Sequence, residues 1–160
     1  MKKNYHLYLG KAGHLTVMSE FLTRGWNVAI PEVDIGDDIF VVQDDNGTLR
    51  RVQVKTSTST LRQNSYSGQF NIPLSQLRNI TNILIHFVFI TRHNNQWTKP
   101  VIIRQDYLLG HYEKDKVGSE HEGNLNLYFS YSADEKIVEC SGLDLSKYIS
   151  DFTDFPLIKE

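Results

Sequence analysis

The chain has 160 residues, 40% of them hydrophobic, and a formal net charge of −2 at pH 7, which excludes a disordered protein and a strongly basic, dedicated DNA-binding domain. No run approaches the about 18 apolar residues of a membrane span, the N-terminus lacks the apolar stretch of a signal peptide, and the single Cys140 excludes an intrachain disulfide. We therefore expect a cytoplasmic protein whose residues 1–160 form one domain.

The first predicted element is a helix. Leu15, Met18 and Leu22 recur at helical spacing in the segment Lys11–Arg24, and Gly25 follows as a residue that commonly ends a helix. The pattern therefore predicts a helix over Lys11–Arg24 that packs on the rest of the fold through one side.

Three short strands are predicted next. They cover Trp26–Pro31, Asp38–Gln43 and Leu49–Thr58. The last two are joined by the turn sequence "DDNGT" at Asp44–Thr48, where Asn-Gly tolerates the positive φ of a tight hairpin. The polar segment Thr56–Ser67 that follows predicts a mobile surface loop.

The second half of the chain is predicted to complete a mixed sheet. The predicted elements are a short helix at Pro73–Ile80, a central strand at Asn82–Arg92, a returning strand at Trp97–Arg104, a helix at Gln105–Lys116, strands at Leu125–Ser132 and Lys136–Cys140, and a final helix at Leu143–Phe152 capped by Asp144. The fold class is therefore α/β (α+β), with an N-terminal helix, a mixed central sheet and flanking helices.

The charges are distributed unevenly along the chain. Between Asn46 and Gln105 there is no Asp or Glu, whereas eight Arg and Lys residues lie there. A basic middle within an acidic protein indicates either a local anion-binding face or an ordinary solvated surface.

The hairpin brings polar residues of two strands together. Side chains alternate along a strand, so Val52 and Val54 should face the core and Gln53 and Lys55 the opposite, polar side. The turn places the strand that begins at Asp38 directly beside them. Taken alone, this arrangement is also that of an ordinary hairpin with a charged edge.

The same arrangement could cleave phosphodiester bonds. The Asp38 carboxylate could hold Mg²⁺, with the Gln53 side-chain oxygen and the Val54 carbonyl as further oxygen ligands. Lys55 could neutralise the phosphate and orient the attacking water. Two further acidic residues could support the metal, namely Asp34 and Asp37.

At this point the sequence resembles a known family. A helix, the segment "WNVAIPEVDIGDDIFVV", an Asn-Gly hairpin and "RVQVKTST" follow one another, an order similar to that of the PD-(D/E)XK nuclease superfamily, in a small bacterial branch related to archaeal Holliday-junction resolvases. The resemblance covers about Lys11–Thr58. It implies a restriction-endonuclease-like core, Mg²⁺ or Mn²⁺ as cofactor and nucleic acid as substrate, with DNA favoured.

The resemblance also assigns residues, with two departures. The family aspartate corresponds to Asp38 and the (D/E)-x-K motif to Gln53-Val54-Lys55, so that a neutral Gln stands where the family has a carboxylate. The metal-linked Glu of the family's first helix corresponds to His14, which should face the sheet, whereas helical geometry turns Glu20 toward solvent. Imidazole suits Mn²⁺ or Zn²⁺ better than Mg²⁺.

Three hypotheses follow for function. The first is a metal-dependent nuclease, with Lys11, Arg51 and Arg62 contacting the nucleic-acid backbone and a homodimer for double-strand cutting. The second is a binding or assembly module that kept the fold and lost catalysis. The third is an unrelated α/β interaction protein, which a large separation of Asp38 from Lys55 would favour. Three aromatic residues are candidates for base stacking or core packing: Tyr66, Phe70 and Trp97.

Overall fold

The computed structural model of the chain describes residues 4–33 and 36–158. The helices are α1 (Tyr5–Thr23), α2 (Leu74–Arg78) and α3 (Gln105–Asp115), with a 3₁₀ turn at Ser146–Tyr148. The strands are β1 (Asn27–Ala29), β2 (Ile39–Gln43), β3 (Thr48–Thr58), β4 (Thr60–Leu61), β5 (Ser65–Pro73), β6 (Ile85–His93), β7 (Gln96–Trp97), β8 (Val101–Arg104), β9 (Ser119–His121), β10 (Asn124–Ser132), β11 (Val138–Cys140) and β12 (Leu143–Asp144).

The first sheet is mixed, as the sequence predicts. Its strand order is β1-β2-β3-β6-β7, and β8 also pairs with β6. The Asn-Gly hairpin pairs β2 with β3 in antiparallel fashion, with Ile39 opposite Val52, while β3 and β6 run parallel. The predicted α+β class, with a helix ahead of a mixed sheet, is therefore confirmed.

Helix α1 packs on one face of this sheet through residues at four-residue spacing. Leu9, Gly13, Val17 and Phe21 are buried, and a Cβ at Gly13 would collide with the side chain of Thr56 on β3. The helix begins at Tyr5 rather than at the predicted Lys11, because the buried stripe already starts at Leu9. Close contact at Gly13 fixes the height of α1 above β3.

The opposite face of the first sheet is covered by a second, antiparallel sheet that the sequence does not predict. Its order is β12-β11-β10-β5-β4, with β9 paired to β10. The larger of the two hydrophobic cores lies between the two sheets and contains Phe70, Phe87 and Phe129. The sheet carrying β3 is thus the middle layer between α1 and the second sheet.

The predicted loop at Thr56–Ser67 is wrong. β3 continues to Thr58, β4 follows at once, and β5 begins at Ser65. Gly68 in β5 is buried, and the position requires a glycine because a Cβ there would collide with the hydroxyls of Ser57 and Thr91. The glycine and the outward polar residues interrupt the apolar pattern by which strands are recognised in a sequence, so β5 is not predicted.

Two predictions for the C-terminal half are also wrong. The strand predicted at Trp97–Arg104 is divided into β7 and β8 around Pro100. The predicted final helix at Leu143–Phe152 is a two-residue strand followed by a 3₁₀ turn, in which the backbone N–H of Ser146 donates to Asp144 Oδ1 at 2.8 Å. Asp144 therefore caps a turn and not a helix.

The C-terminal segment closes the core beneath α1. Phe155 is buried against Phe21 and Trp26, and Trp26 Nε1 donates to the carbonyl of Pro156 at 2.8 Å. His86 Nε2 lies 2.8 Å from Asp154 Oδ2, and burial lowers the pKa of the His86 imidazole below its ordinary value of 6.5. His86 is therefore a neutral, structural residue at pH 7.

Among the helices of the described ranges, none combines the length and apolar character needed to cross a membrane.

Candidate active site

The C-terminal half of β3 forms one wall of a cleft because β2 does not extend along it. β2 pairs with residues 48–52 of β3, whereas the segment from Val54 to Thr58 pairs with β6 on the other side of β3. Helix α1 lies over one face of this segment, and β4 and β5 lie over the other. The unpaired edge of β3 is thereby placed between a helix and a sheet.

This opening, called the main cleft below, has a volume of about 730 Å³. Its lining includes His6 and His14 from α1, Lys55 from β3, and Arg62 just after β4. No Asp or Glu occurs among the described lining residues. The main cleft is therefore suited to an anion.

Asp38 lies at the edge of β3 beside the main cleft. The backbone N–H of Val54 donates to Asp38 Oδ2 at 2.7 Å, and His14 Nε2 lies 3.6 Å from the same oxygen. N–H and C=O of one strand residue point to the same side, so the Val54 carbonyl also faces the side on which Asp38 lies. The structure thus brings together Asp38, His14 and Val54.

Gln53 lies on the face of β3 opposite to that of Val52 and Val54, and it is nearly inaccessible to solvent. The residue is 8% exposed, and its Oε1 is buried without a hydrogen-bond donor among the described residues. It lines a cavity of about 410 Å³ together with Gly36 and Gln76. A buried oxygen of this kind is costly unless a donor or a cation reaches it.

Lys55 is the next residue of β3 on the same face as Gln53, and together with His14 it lines the main cleft. His14 also lines a smaller cleft of about 360 Å³ on the other side, which includes Lys11, Asp37 and Asp38. Since Asp38 contacts the backbone of the residue before Lys55, the two are not on distant parts of the fold. The condition that would favour an unrelated interaction protein is therefore not met.

Asp37 and Arg51 form an ion pair inside the fold. Asp37 is 2% exposed, and Arg51 Nε donates to both of its carboxylate oxygens, at 3.1 and 2.9 Å. Arg51 also donates to Thr81 Oγ1 at 2.8 Å and to the carbonyl of Ile83 at 3.1 Å. These contacts give both residues a structural role that the sequence does not indicate, while Asp34 lies outside the described residues.

The other predicted contact residues differ in position. Arg62 is exposed at the main cleft, and Lys11 is exposed on α1 at the smaller cleft. Glu20, also on α1, lines neither cleft and lies near Trp97 instead. The prediction that Glu20 does not face the site is confirmed. Tyr66 and Phe70 are buried core residues, so base stacking on them is excluded.

Sequence reasoning missed Tyr128, an exposed tyrosine that lines the main cleft. The inward alternation of Leu125, Leu127 and Phe129 indicates that Tyr128 points outward. Only the pairing of β10 with β5 shows that this outward side adjoins the cleft.

The possible metal donors are few. Within residues 4–33 and 36–158, no three His, Cys, Asp or Glu side chains form a group that could hold a metal ion. A divalent ion at this site would depend on Asp38, the His14 imidazole and neutral oxygens such as the Val54 carbonyl and Gln53 Oε1.

Comparison with known proteins gives limited similarity. No protein-family model matches the chain, and no curated protein matches it. Among solved structures, the chain is similar to a bacterial homing endonuclease with a TM-score of 0.43 and 16% sequence identity, over 74% of this chain and 72% of that chain. A similarity at this level assigns neither family nor substrate to the chain.

Proposed function

We propose that the protein is a metal-dependent nuclease that hydrolyses phosphodiester bonds of nucleic acid, with DNA as the favoured substrate. The observation that carries the proposal is the position of Asp38. Its carboxylate is hydrogen-bonded to the Val54 N–H at the edge of a cleft whose described lining has no acidic residue. A metal-binding oxygen thus adjoins a surface suited to phosphates.

The oxygen donors at this site are of the kind that a hard divalent cation prefers. Carboxylate, carbonyl and amide oxygens are the ligands that Mg²⁺ accepts, and Mg²⁺ retains several waters when one or two carboxylates bind it. The buried Gln53 Oε1 has no donor among the described residues and can meet such a charge directly or through water. His14 beside Asp38 favours Mn²⁺ as an alternative. A bound ion would supply charge stabilisation and an acidified water.

The remaining side chains would act on the substrate. Lys55 lines the main cleft, where its ammonium group would neutralise the scissile phosphate and orient the attacking water. Arg62 and Lys11 would bind backbone phosphates on either side of His14. Arg51, held by Asp37, would support the hairpin from within.

The test is cleavage of nucleic acid by the wild-type chain. It should require Mg²⁺ or Mn²⁺ and stop in a chelator, because a cationic cleft alone binds phosphate without activating water.

A second candidate function is a nuclease-fold module that binds nucleic acid or a protein without cutting. The neutral Gln53 and the single carboxylate Asp38 in the described site favour it, because each missing charge weakens cation binding. It differs from the first in predicting salt-sensitive binding with no metal-dependent cleavage.

A homodimer belongs to the same proposal, and α1 offers the surface for it. Four large side chains on its outer side are 52 to 74% exposed, and two small residues complete a strict three-four spacing: Tyr5, Tyr8, Ala12, Leu15, Ser19 and Leu22. This is the spacing of a helix-pairing seam. In an antiparallel pair the two inner bulky residues meet small ones, Tyr8 against Ser19 and Leu15 against Ala12, and Tyr5 meets Leu22 at each end, whereas a parallel pair would place Tyr8 on Tyr8.

This seam gives a prediction for self-association. α1 spans only about 28 Å, and one helix face offers less contact than the roughly 800 Å² per partner of a standard interface. We therefore expect a weak, concentration-dependent dimer that Leu15→Glu dissociates. Sedimentation velocity at a series of concentrations measures this, with Ile137→Glu as the control because Ile137 is similarly exposed, at 50%, but lies outside α1. Unchanged association of Leu15→Glu would exclude α1 as the interface.

A further inference from the structure

The outer face of the second sheet continues the surface of the main cleft. β5 and β10 pair over their full length, and their outward residues include Gln69 and Asn71 on β5 and Tyr128 on β10. Tyr128 is directly opposite Gln69 and is 53% exposed. All three line the main cleft, so an aromatic ring and two amides adjoin its cationic residues.

The chemistry of this lining changes across the cleft. On the β3 and β4 side lie the charges of Lys55 and Arg62 together with hydroxyl groups, which are donors for phosphate oxygens: Thr56, Thr58 and Thr60. On the β5 and β10 side lie amide groups and the tyrosine ring, which suit base edges and base faces. No acidic side chain among the described lining residues interrupts this path.

An exposed aromatic ring distinguishes single strands from duplexes. The faces of paired bases are covered by stacking inside a duplex, which presents only phosphates and groove edges to a protein. The face of an unpaired base is accessible, and its stacking on an aromatic side chain is sequence-tolerant. Tyr128 can therefore contribute base stacking only to an unpaired base.

The distances agree with a short stretch of single strand. Neighbouring strands lie about 4.8 Å apart, so β4 and β10, which flank β5, are separated by about 10 Å. Arg62 is hydrogen-bonded to Ser65, four residues along β5 from Gln69, the partner of Tyr128, which adds about 13 Å along the strand. The backbone separation of Arg62 from Tyr128 is therefore about 16 Å, or about five nucleotides at about 3.4 Å each. A strand with phosphates at Arg62 would thus bring a base to Tyr128.

We propose that the main cleft binds an unpaired nucleic-acid strand, with phosphates at Lys55 and Arg62 and a base stacked on Tyr128. The inference deepens the proposed function and rests on it in one respect, because it names the substrate that the same site would cleave. The unpaired strand is a single-stranded segment or the open part of a branched molecule, and not a continuous duplex.

Fluorescence anisotropy in a chelator tests the inference without cleavage. The probe is a labelled oligothymidine, measured alone and annealed to its complement at one fixed salt concentration, since affinities shift strongly with salt. We expect the wild type to bind the single strand more tightly than the duplex. Tyr128→Ala should weaken single-strand binding about five- to a hundred-fold, as expected for the loss of one base-stacking contact, and duplex binding much less.

Two further variants separate stacking from other effects. Tyr128→Phe keeps the ring and should retain single-strand affinity. Tyr107→Ala removes a tyrosine that is similarly exposed, at 51%, but lies on α3 outside the cleft lining, and it should bind as the wild type does. Equal affinity for both probes, wild-type binding by Tyr128→Ala, or equal losses for Tyr128→Phe and Tyr128→Ala would each overturn the inference.

The outcome is separable from that of the nuclease proposal. Single-strand preference with no cleavage in any metal would overturn the nuclease and leave the inference standing. Cleavage in Mg²⁺ or Mn²⁺ by a protein that prefers the duplex probe would overturn the inference alone.

Discussion

Lys55→Ala is expected to lower the rate of metal-dependent cleavage by about 10²- to 10³-fold, which is the usual cost of removing one group that stabilises charge in the transition state. Lys55 lines the main cleft one residue after Val54, whose N–H binds the Asp38 carboxylate. The variant loses the positive charge that the proposal assigns to the scissile phosphate. Its side chain is only partly buried, so the fold should remain.

The measurement is a single-turnover rate at saturating protein, with thermal unfolding recorded for each variant. Lys99→Ala is the matched control, since Lys99 is an exposed lysine outside the main cleft, close to Glu20 and Trp97. It should cleave at the wild-type rate. A Lys55→Ala protein that cleaves as fast as the Lys99→Ala control would rule out the proposed role of Lys55.

The second large effect is expected on stability and separates two neighbouring aspartates. Asp37→Ala should lower the free energy of unfolding by about 2–3 kcal/mol, because it leaves the Arg51 guanidinium without its carboxylate. This is slightly below the about 3–5 kcal/mol for breaking a fully buried pair, since the Arg51 side chain is 19% exposed and water partly replaces Asp37.

Asp38→Ala is the matched variant for this prediction. It removes one acceptor from the Val54 N–H and should cost only about 1–2 kcal/mol, but it should abolish the binding of Mn²⁺. Urea unfolding and calorimetric titration with Mn²⁺ give the two readouts. Asp37→Ala with wild-type stability, or Asp38→Ala with wild-type Mn²⁺ affinity, would contradict the roles assigned to the pair.

Local sequence rules account for the hairpin that carries the site. Asn-Gly at the turn and the two-residue alternation of β3 correctly predict that Val52 and Val54 face the core, which in the structure is the core that they share with Val17 and Phe21 of α1. The same rules predict that Gln53 and Lys55 share the other face. They do not predict that Gln53 is buried, because that depends on a second sheet whose residues come later in the chain.

The ion pair between Asp37 and Arg51 shows why the site could be predicted only in part. Asp37 and Asp38 are adjacent and chemically identical, so the sequence gives no reason to assign one to the core and the other to the cleft. The difference arises from the path of the chain into β2, which turns Asp37 toward Arg51 and Asp38 toward Val54. Tyr128 is a similar case, since only the pairing of β10 with β5 brings it to the cleft.

The central claim is that Asp38, Val54 and Lys55 form a working hydrolytic site, and cleavage by the wild-type chain tests it most directly. Supercoiled plasmid, single-stranded DNA and a branched junction would be incubated with the protein in Mg²⁺, in Mn²⁺ and in a chelator. The account predicts cleavage of at least one substrate with either metal and none in the chelator. Intact substrates under all conditions, with a folded protein that binds DNA, would contradict it and favour the binding module.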